Sequence, residues 1–164
     1  MDHLWSPWRY RYVQTALSPS STDDACIFCA KAAASQDEDN LIVHRARLNF
    51  ILLNLYPYNS GHVMIAPYEH VATLEGAREE TTAEMMQLTR QVLVHLGTIY
   101  HPAGFNFGMN LGEAAGAGVA GHIHMHVVPR WRGDANFMTT LGETRVLPEE
   151  LSETYRKLRA KFGS

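Results

Sequence analysis

The chain has 164 residues, 46% hydrophobic and 19% charged, the make-up of one globular domain over residues 1–164 with a sizeable core. Its formal net charge is −3 and no lysine/arginine cluster stands out, which argues against nucleic acid or a membrane surface as a partner. No apolar run approaches the length of a membrane span, and the N-terminus lacks a charged-then-apolar leader, so a cytoplasmic location is the default expectation.

Residues 1–25 read as an irregular arm carrying Trp5, Trp8, Tyr10 and Tyr12, with Ser6-Pro7 able to start a helical turn. Aromatics dominate buried interfaces, so docking of this arm on protein is favoured over ligand contact. Both cysteines follow in Cys26-Ile27-Phe28-Cys29, after a loop-like Ser/Asp-rich run. In a reducing compartment such a pair points to a metal or redox chemistry, and zinc then needs two more ligands. A helical turn is expected over 31–34, then strands over 41–44 and 49–54 joined at hairpin length. Tyr56-Pro57-Tyr58-Asn59-Ser60-Gly61 is a turn by its residue types, and a third strand over 62–66 should close at Pro67.

The spacing predicts a helix over 81–99. Thr81 and Glu84 have the form of a capping box, and Met85, Leu88, Val92, Leu96 and Ile99 make one apolar stripe. His101-Pro102 and Gly104 end it, and alternation of Phe105, Phe107 and Met109 predicts a strand over 104–110. Pro148 should open a C-terminal helix over 148–162, with Leu151, Tyr155, Leu158 and Phe162 as its apolar face. Antiparallel strands with two main helices give an α+β class.

The most informative stretch lies between these last elements. A glycine-rich run, 112–121, leads into His122-Ile123-His124-Met125-His126-Val127-Val128-Pro129. On a strand ending at Pro129, the three imidazoles would line one face while Ile123, Met125 and Val127 enter a core on the other. Packing explains three such histidines poorly. Two chemical readings compete: a metal cage, or a nucleophilic imidazole whose neighbours orient it. Backbone N–H groups freed by glycine suit an anionic, phosphate-like group, which favours the second.

His122-x-His124-x-His126-x-x, with apolar residues between, resembles the signature of the histidine triad (HIT) superfamily. Val128-Pro129-Arg130-Trp131-Arg132-Gly133-Asp134-Ala135-Asn136-Phe137-Met138, Asn54-Leu55-Tyr56-Pro57-Tyr58-Asn59-Ser60-Gly61-His62 and Trp5-Ser6-Pro7-Trp8-Arg9 are similar to the bacterial branch that includes diadenosine tetraphosphate phosphorylases. The likeness runs from Trp5 to about Leu147. It implies a HIT-like antiparallel sheet in a two-fold homodimer, acting on a nucleotide substrate such as a dinucleoside polyphosphate or a nucleoside phosphoramidate. The resemblance makes His124 the nucleophile on the α-phosphate, its other ring nitrogen held by an acceptor such as a backbone carbonyl. His126 would contact the phosphate and the bridging oxygen, and His122 completes the triad. Asn54 falls where the family holds ribose, though a turn asparagine is an equal reading, and Asn110, Gly116, Ala117 and Gly118 fall where it holds phosphates. The run 115–119 lacks the side-chain donor of many relatives, which leaves phosphate or water open as the acceptor. Zinc-bearing relatives further imply a structural site at Cys26, Cys29, His70 and His122, and no organic cofactor. His62 reads as structural.

Overall fold

The computed structural model describes residues 26–134 and 149–163. The aromatic arm over 1–25, the motif's continuation over 135–138 and Pro148 lie outside the described residues.

Five antiparallel strands form one sheet: β1 (Ile42–Arg45), β2 (Asn49–Leu53), β3 (Val63–Pro67), β4 (Gly104–Gly108) and β5 (Met125–Arg130), ordered β1-β2-β3-β5-β4. Among the described residues three helices accompany them: α1 (Ile27–Ala33), α2 (Glu79–Tyr100) and α3 (Leu151–Phe162). This is the α+β architecture expected, with one more helix. Because successive side chains alternate, β2 and β3 feed both faces of the sheet. Ile51, Leu53, Val63 and Ile65 meet the stripe Met85, Leu88, Val92 and Leu96 of α2, together with Tyr155 and Leu158 of α3. Phe50, Leu52, Met64 and Ala66 point the other way, onto Phe28 of α1. Met125 and Val127 of β5 join the first core, so the intervening His126 faces the second side.

Three local expectations are corrected. The capping box does not form: α2 starts at Glu79, two residues earlier than expected, and Thr81 Oγ1 makes no hydrogen bond among the described residues. Glu84 instead accepts from Leu48 N and Asn49 Nδ2, both at 2.8 Å, tying the helix to the β1–β2 hairpin. Glu79 and Glu80 stabilise the helix start through its dipole. At the other end His101 takes a left-handed conformation, φ 46°, closing the helix where expected.

The triad strand is shifted along the chain. β5 begins at Met125, so His122 and His124 lie on the segment that enters it and only His126 is in the ladder. The strand also runs through Pro129, which pairs with Phe105. Pairing with β3 ends at Val127, so Pro129 turns its missing N–H toward a side with no ladder to complete. Asn59 Nδ2 donates to the Pro129 carbonyl on that side at 3.0 Å. Finally, the helical turn expected over 31–34 is a longer helix that starts earlier, with Cys26 at its N-cap position and Cys29 in its first turn.

Candidate active site and metal centre

Cys26, Cys29, His70 and His122 converge although 96 residues separate the first from the last. Helix α1 brings both thiols, the turn after β3 brings His70, and the segment entering β5 brings His122. Their ligand atoms all lie within 4.8 Å of one another. Zinc bonds of about 2.3 Å to sulfur and about 2.0 Å to nitrogen, at tetrahedral angles, place S and N roughly 3.5 Å apart. The S···N distances are 3.3 Å for Cys26–His122, 3.3 Å for Cys29–His70 and 3.6 Å for Cys29–His122. The donor set fits a tetrahedral metal.

The orientation of His122 fits too. Its Nε2–H donates to the Pro67 carbonyl at 2.9 Å, which leaves the Nδ1 lone pair directed at the thiols. A backbone acceptor behind the ring is the usual way a metal-ligating histidine is held. Burial pushes the His122 imidazole toward its neutral form, as ligation requires.

His124 is turned the other way. Its Nδ1–H donates to the His122 carbonyl at 2.9 Å, so the unprotonated nitrogen is Nε2. The ring is 5% exposed and lies 4.8 Å from the Phe28 ring, centroid to centroid. Burial lowers its pKa below the ordinary histidine value and favours the uncharged ring. A neutral imidazole with a fixed tautomer and a bare Nε2 is the form a nucleophile needs.

His126 sits 4.9 Å from His124, ring centre to ring centre, and its tautomer is set by His62, which the sequence reads only as structural. Tyr58 N–H donates to His62 Nδ1 at 3.1 Å, and His62 Nε2 lies 2.9 Å from His126 Nδ1. In an uncharged pair of rings, His62 then carries its proton on Nε2 and gives it to His126 Nδ1. That leaves the His126 proton on Nε2. Gly61 sets up this placement: its φ is +78°, and a Cβ there would stand 3.0 Å from Leu96 and Tyr100. The signal in the sequence was the alternation of His62, just before β3, with Met64 and Ala66 on one face of that strand. It becomes readable only once β3 is known to pair with β5.

The remaining expected residues are less closely gathered. Asn54 Oδ1 accepts from Tyr56 N at 3.0 Å, the turn role weighed for it, while its side-chain amide points toward His62 at 3.4 Å. Asn110 Nδ2 donates to the Gly116 carbonyl at 3.3 Å, bracing the glycine loop that runs on through Ala117 and Gly118. Gly116 adopts a left-handed conformation, φ 86°, after a short 3₁₀ turn, Glu113–Ala115.

Fold and site together place a buried histidine cluster beside four cysteine and histidine side chains able to hold a metal, with His122 common to both. A sequence profile described as "HIT domain" matches residues 35–133. The chain is 39% identical to a Mycobacterium tuberculosis protein named AP-4-A phosphorylase, over 99% of this chain and 85% of that one. It is 24% identical to a Schizosaccharomyces pombe adenosine 5'-monophosphoramidase, over 84% of this chain and 98% of that one. A Zn-bound histidine triad family protein from Mycobacterium smegmatis superposes with a TM-score of 0.67 at 27% identity, over 85% of this chain and 94% of that one. The chain belongs to the HIT family.

Proposed function

We propose that this protein is an enzyme that cleaves dinucleoside polyphosphates of the diadenosine tetraphosphate kind at the α-phosphate, through a nucleotidyl group carried on His124. The observation that carries this reading is the hydrogen bond from His124 Nδ1–H to the His122 carbonyl, which leaves Nε2 bare in a buried, uncharged ring. Nε2 forms a bond to the α-phosphorus as the bond to the bridging oxygen breaks. The departing nucleotide leaves as a phosphate anion and needs no proton, only a donor. His126 Nε2–H supplies that donor. The N-nucleotidyl ring keeps its Nδ1 proton and is therefore cationic, a good leaving group for the second displacement.

The glycine loop Gly116-Ala117-Gly118 and Asn110 hold the phosphates through N–H groups, and Asn54 meets the ribose. The M. tuberculosis relative's name supports phosphate as the acceptor. The S. pombe relative supports a second reading, hydrolysis of nucleoside phosphoramidates. Cys26, Cys29, His70 and His122 would hold structural zinc, whose chemistry here is to cross-link α1 to the base of the triad segment. We further propose one domain over residues 1–164, in the cytoplasm, assembled as a two-fold homodimer across β4, the sheet edge that carries exposed Phe107. No helix among the described residues is long and apolar enough to cross a membrane.

Product analysis tests the reaction. Diadenosine tetraphosphate with inorganic phosphate should yield ADP, and without phosphate the same enzyme should release AMP slowly or not at all. Turnover of an adenosine phosphoramidate alone would transfer the assignment to the second reading. Binding without turnover of either would make the protein a nucleotide-binding regulator.

A further inference from the structure

Beside His126 the triad face opens into a cavity of about 320 Å³ lined by Asn59, Asn106, Asn110, Val128 and Arg130 among others, whereas His124 is not part of its wall. That placement has a consequence if His124 is the nucleophile, the reading on which this inference rests. Displacement at phosphorus runs roughly in line, so the leaving oxygen departs opposite His124 Nε2. The acceptor that resolves the nucleotidyl-histidine must enter from the same side. A double displacement at one phosphorus therefore uses one subsite twice, and the cavity beyond His126 is where it falls.

The cavity's chemistry is set by an ion pair. Arg130 grips Asp134 with two parallel bonds, Nε to Oδ2 at 2.6 Å and Nη2 to Oδ1 at 2.8 Å. Asp134 Oδ2 accepts further from Asn59 Nδ2 at 2.9 Å and from Trp131 N at 3.2 Å. Every Asp134 oxygen is thus occupied by a donor, and Asp134 is the only acidic side chain among the described lining residues. The third Arg130 bond, Nη1 to Asn106 Oδ1 at 2.6 Å, fixes which way the Asn106 amide points. With its oxygen committed to the guanidinium, Asn106 presents its NH₂ as the remaining polar group. Register places Asn106 opposite Val128 and Gly108 opposite His126, so Asn106 and His126 are diagonal neighbours, roughly 7 Å apart. Gly108 between them adds no side chain. A tetrahedral oxyanion fits between two such donors.

We propose that this cavity is a phosphate subsite, holding first the inner phosphate of the departing nucleotide and then the inorganic phosphate that attacks the nucleotidyl-His124. An oxygen of HPO₄²⁻ forms the new bond to the α-phosphorus, and the P–N bond breaks with its electron pair returning to His124 Nε2. The acceptor's proton stays on the terminal phosphate of the nucleoside diphosphate produced. Asn106 is a binding residue of this subsite, and Arg130 a positioning residue that acts through it.

Asn106→Asp in the full chain is the test, because a carboxylate keeps the acceptor for Arg130 and replaces only the NH₂. Expected is a rise of about tenfold or more in the KM for inorganic phosphate and a shift of products from ADP toward AMP. The first-turnover burst of p-nitrophenol from the p-nitrophenyl ester of AMP, a half-reaction that places no phosphate in the subsite, should keep its rate constant within about twofold. Asn106→Ala, which removes the donor without adding charge, should move the same constants by less, and it replaces the aspartate variant should that fail to fold. An unchanged phosphate KM in a folded variant overturns the inference, as does an equal loss on both substrates. Wild-type enzyme that nucleotidylates His124 but makes no ADP with phosphate also overturns it while leaving the nucleophile standing. Wild-type enzyme inert toward both substrates overturns the function on which it rests.

Discussion

His62 and His126 form the hydrogen bond on which the polarity of the site turns. The order runs from the Tyr58 N–H through His62 to His126, and it makes His126 Nε2 a donor at the point where a bridging oxygen would leave. Replacing His62 by alanine removes the acceptor that Tyr58 needs and frees the His126 ring to adopt either tautomer. The expected outcome is a fall of about 10²-fold in kcat with the dinucleoside substrate, read in steady-state assays. An unchanged kcat would mean that His126 holds its orientation without help. At this scale the sequence was generous with chemistry and poor on partnership. The three triad histidines and both cysteines announce themselves by residue type and spacing, His70 only through the family resemblance, and four of these six converge as a ligand set. His62 did not, because its meaning depends on a strand pairing that local sequence does not encode. Glu84 failed for a related reason: a local motif fitted it to a cap, while the hairpin 35 residues away offered it two N–H donors.

Among the elements, α1 does more than its seven residues suggest. It starts just after Cys26, carries Cys29, and lays Phe28 against both His122 and His124, with ring centres 5.2 and 4.8 Å away. A short helix is marginal alone, so a metal tying it to the sheet should matter for order rather than for chemistry. Chelation at neutral pH should therefore lower the thermal midpoint and expose both thiols to a thiol reagent. Activity should persist as long as the protein stays folded. Immediate loss of turnover in folded protein would instead put the metal in the reaction. The elements themselves were largely legible: β1 to β4 and the apolar faces of α2 and α3 follow from period-two and period-3.6 patterning. Boundaries were less so. β5 runs through Pro129 because β3 has ended beside it, a fact about the neighbour and not about proline.

At the scale of the molecule, the sheet separates an apolar core under α2 and α3 from a smaller one under α1, on whose side His126 faces. Charged groups knit the ends of these layers together. Hydrogen bonds from Arg130 hold the Asp134 carboxyl far below the ordinary carboxylate range. Burial pushes Glu149 up, but donors on Lys157, Tyr100 and Thr154 outweigh it and leave its carboxyl lowered. A carboxyl with a depressed folded pKa stabilises fully above its unfolded value, about 3.9 for aspartate, and loses that contribution as pH falls toward the folded value. Asp134→Asn should therefore cost about 2 kcal/mol at neutral pH. The gap to wild type should narrow below about pH 4, as followed by denaturant unfolding across pH. A gap that stays constant with pH would mean the carboxylate's charge contributes nothing. The α+β class was readable from the order of elements, whereas the bonds from Asn59 to Asp134 and from Tyr100 to Glu149 were not, since they form only when the layers close.

The central claim is that His124 Nε2 bonds to phosphorus during turnover, and trapping that bond tests it most directly. Enzyme mixed with diadenosine tetraphosphate in the absence of phosphate, quenched in alkali to protect an acid-labile P–N bond, and digested for mass mapping should carry an adenylyl group on His124. The His124→Ala variant should carry none and should turn over at least about 10³-fold more slowly. An adduct on another residue, or a His124→Ala enzyme with undiminished turnover, would contradict the account.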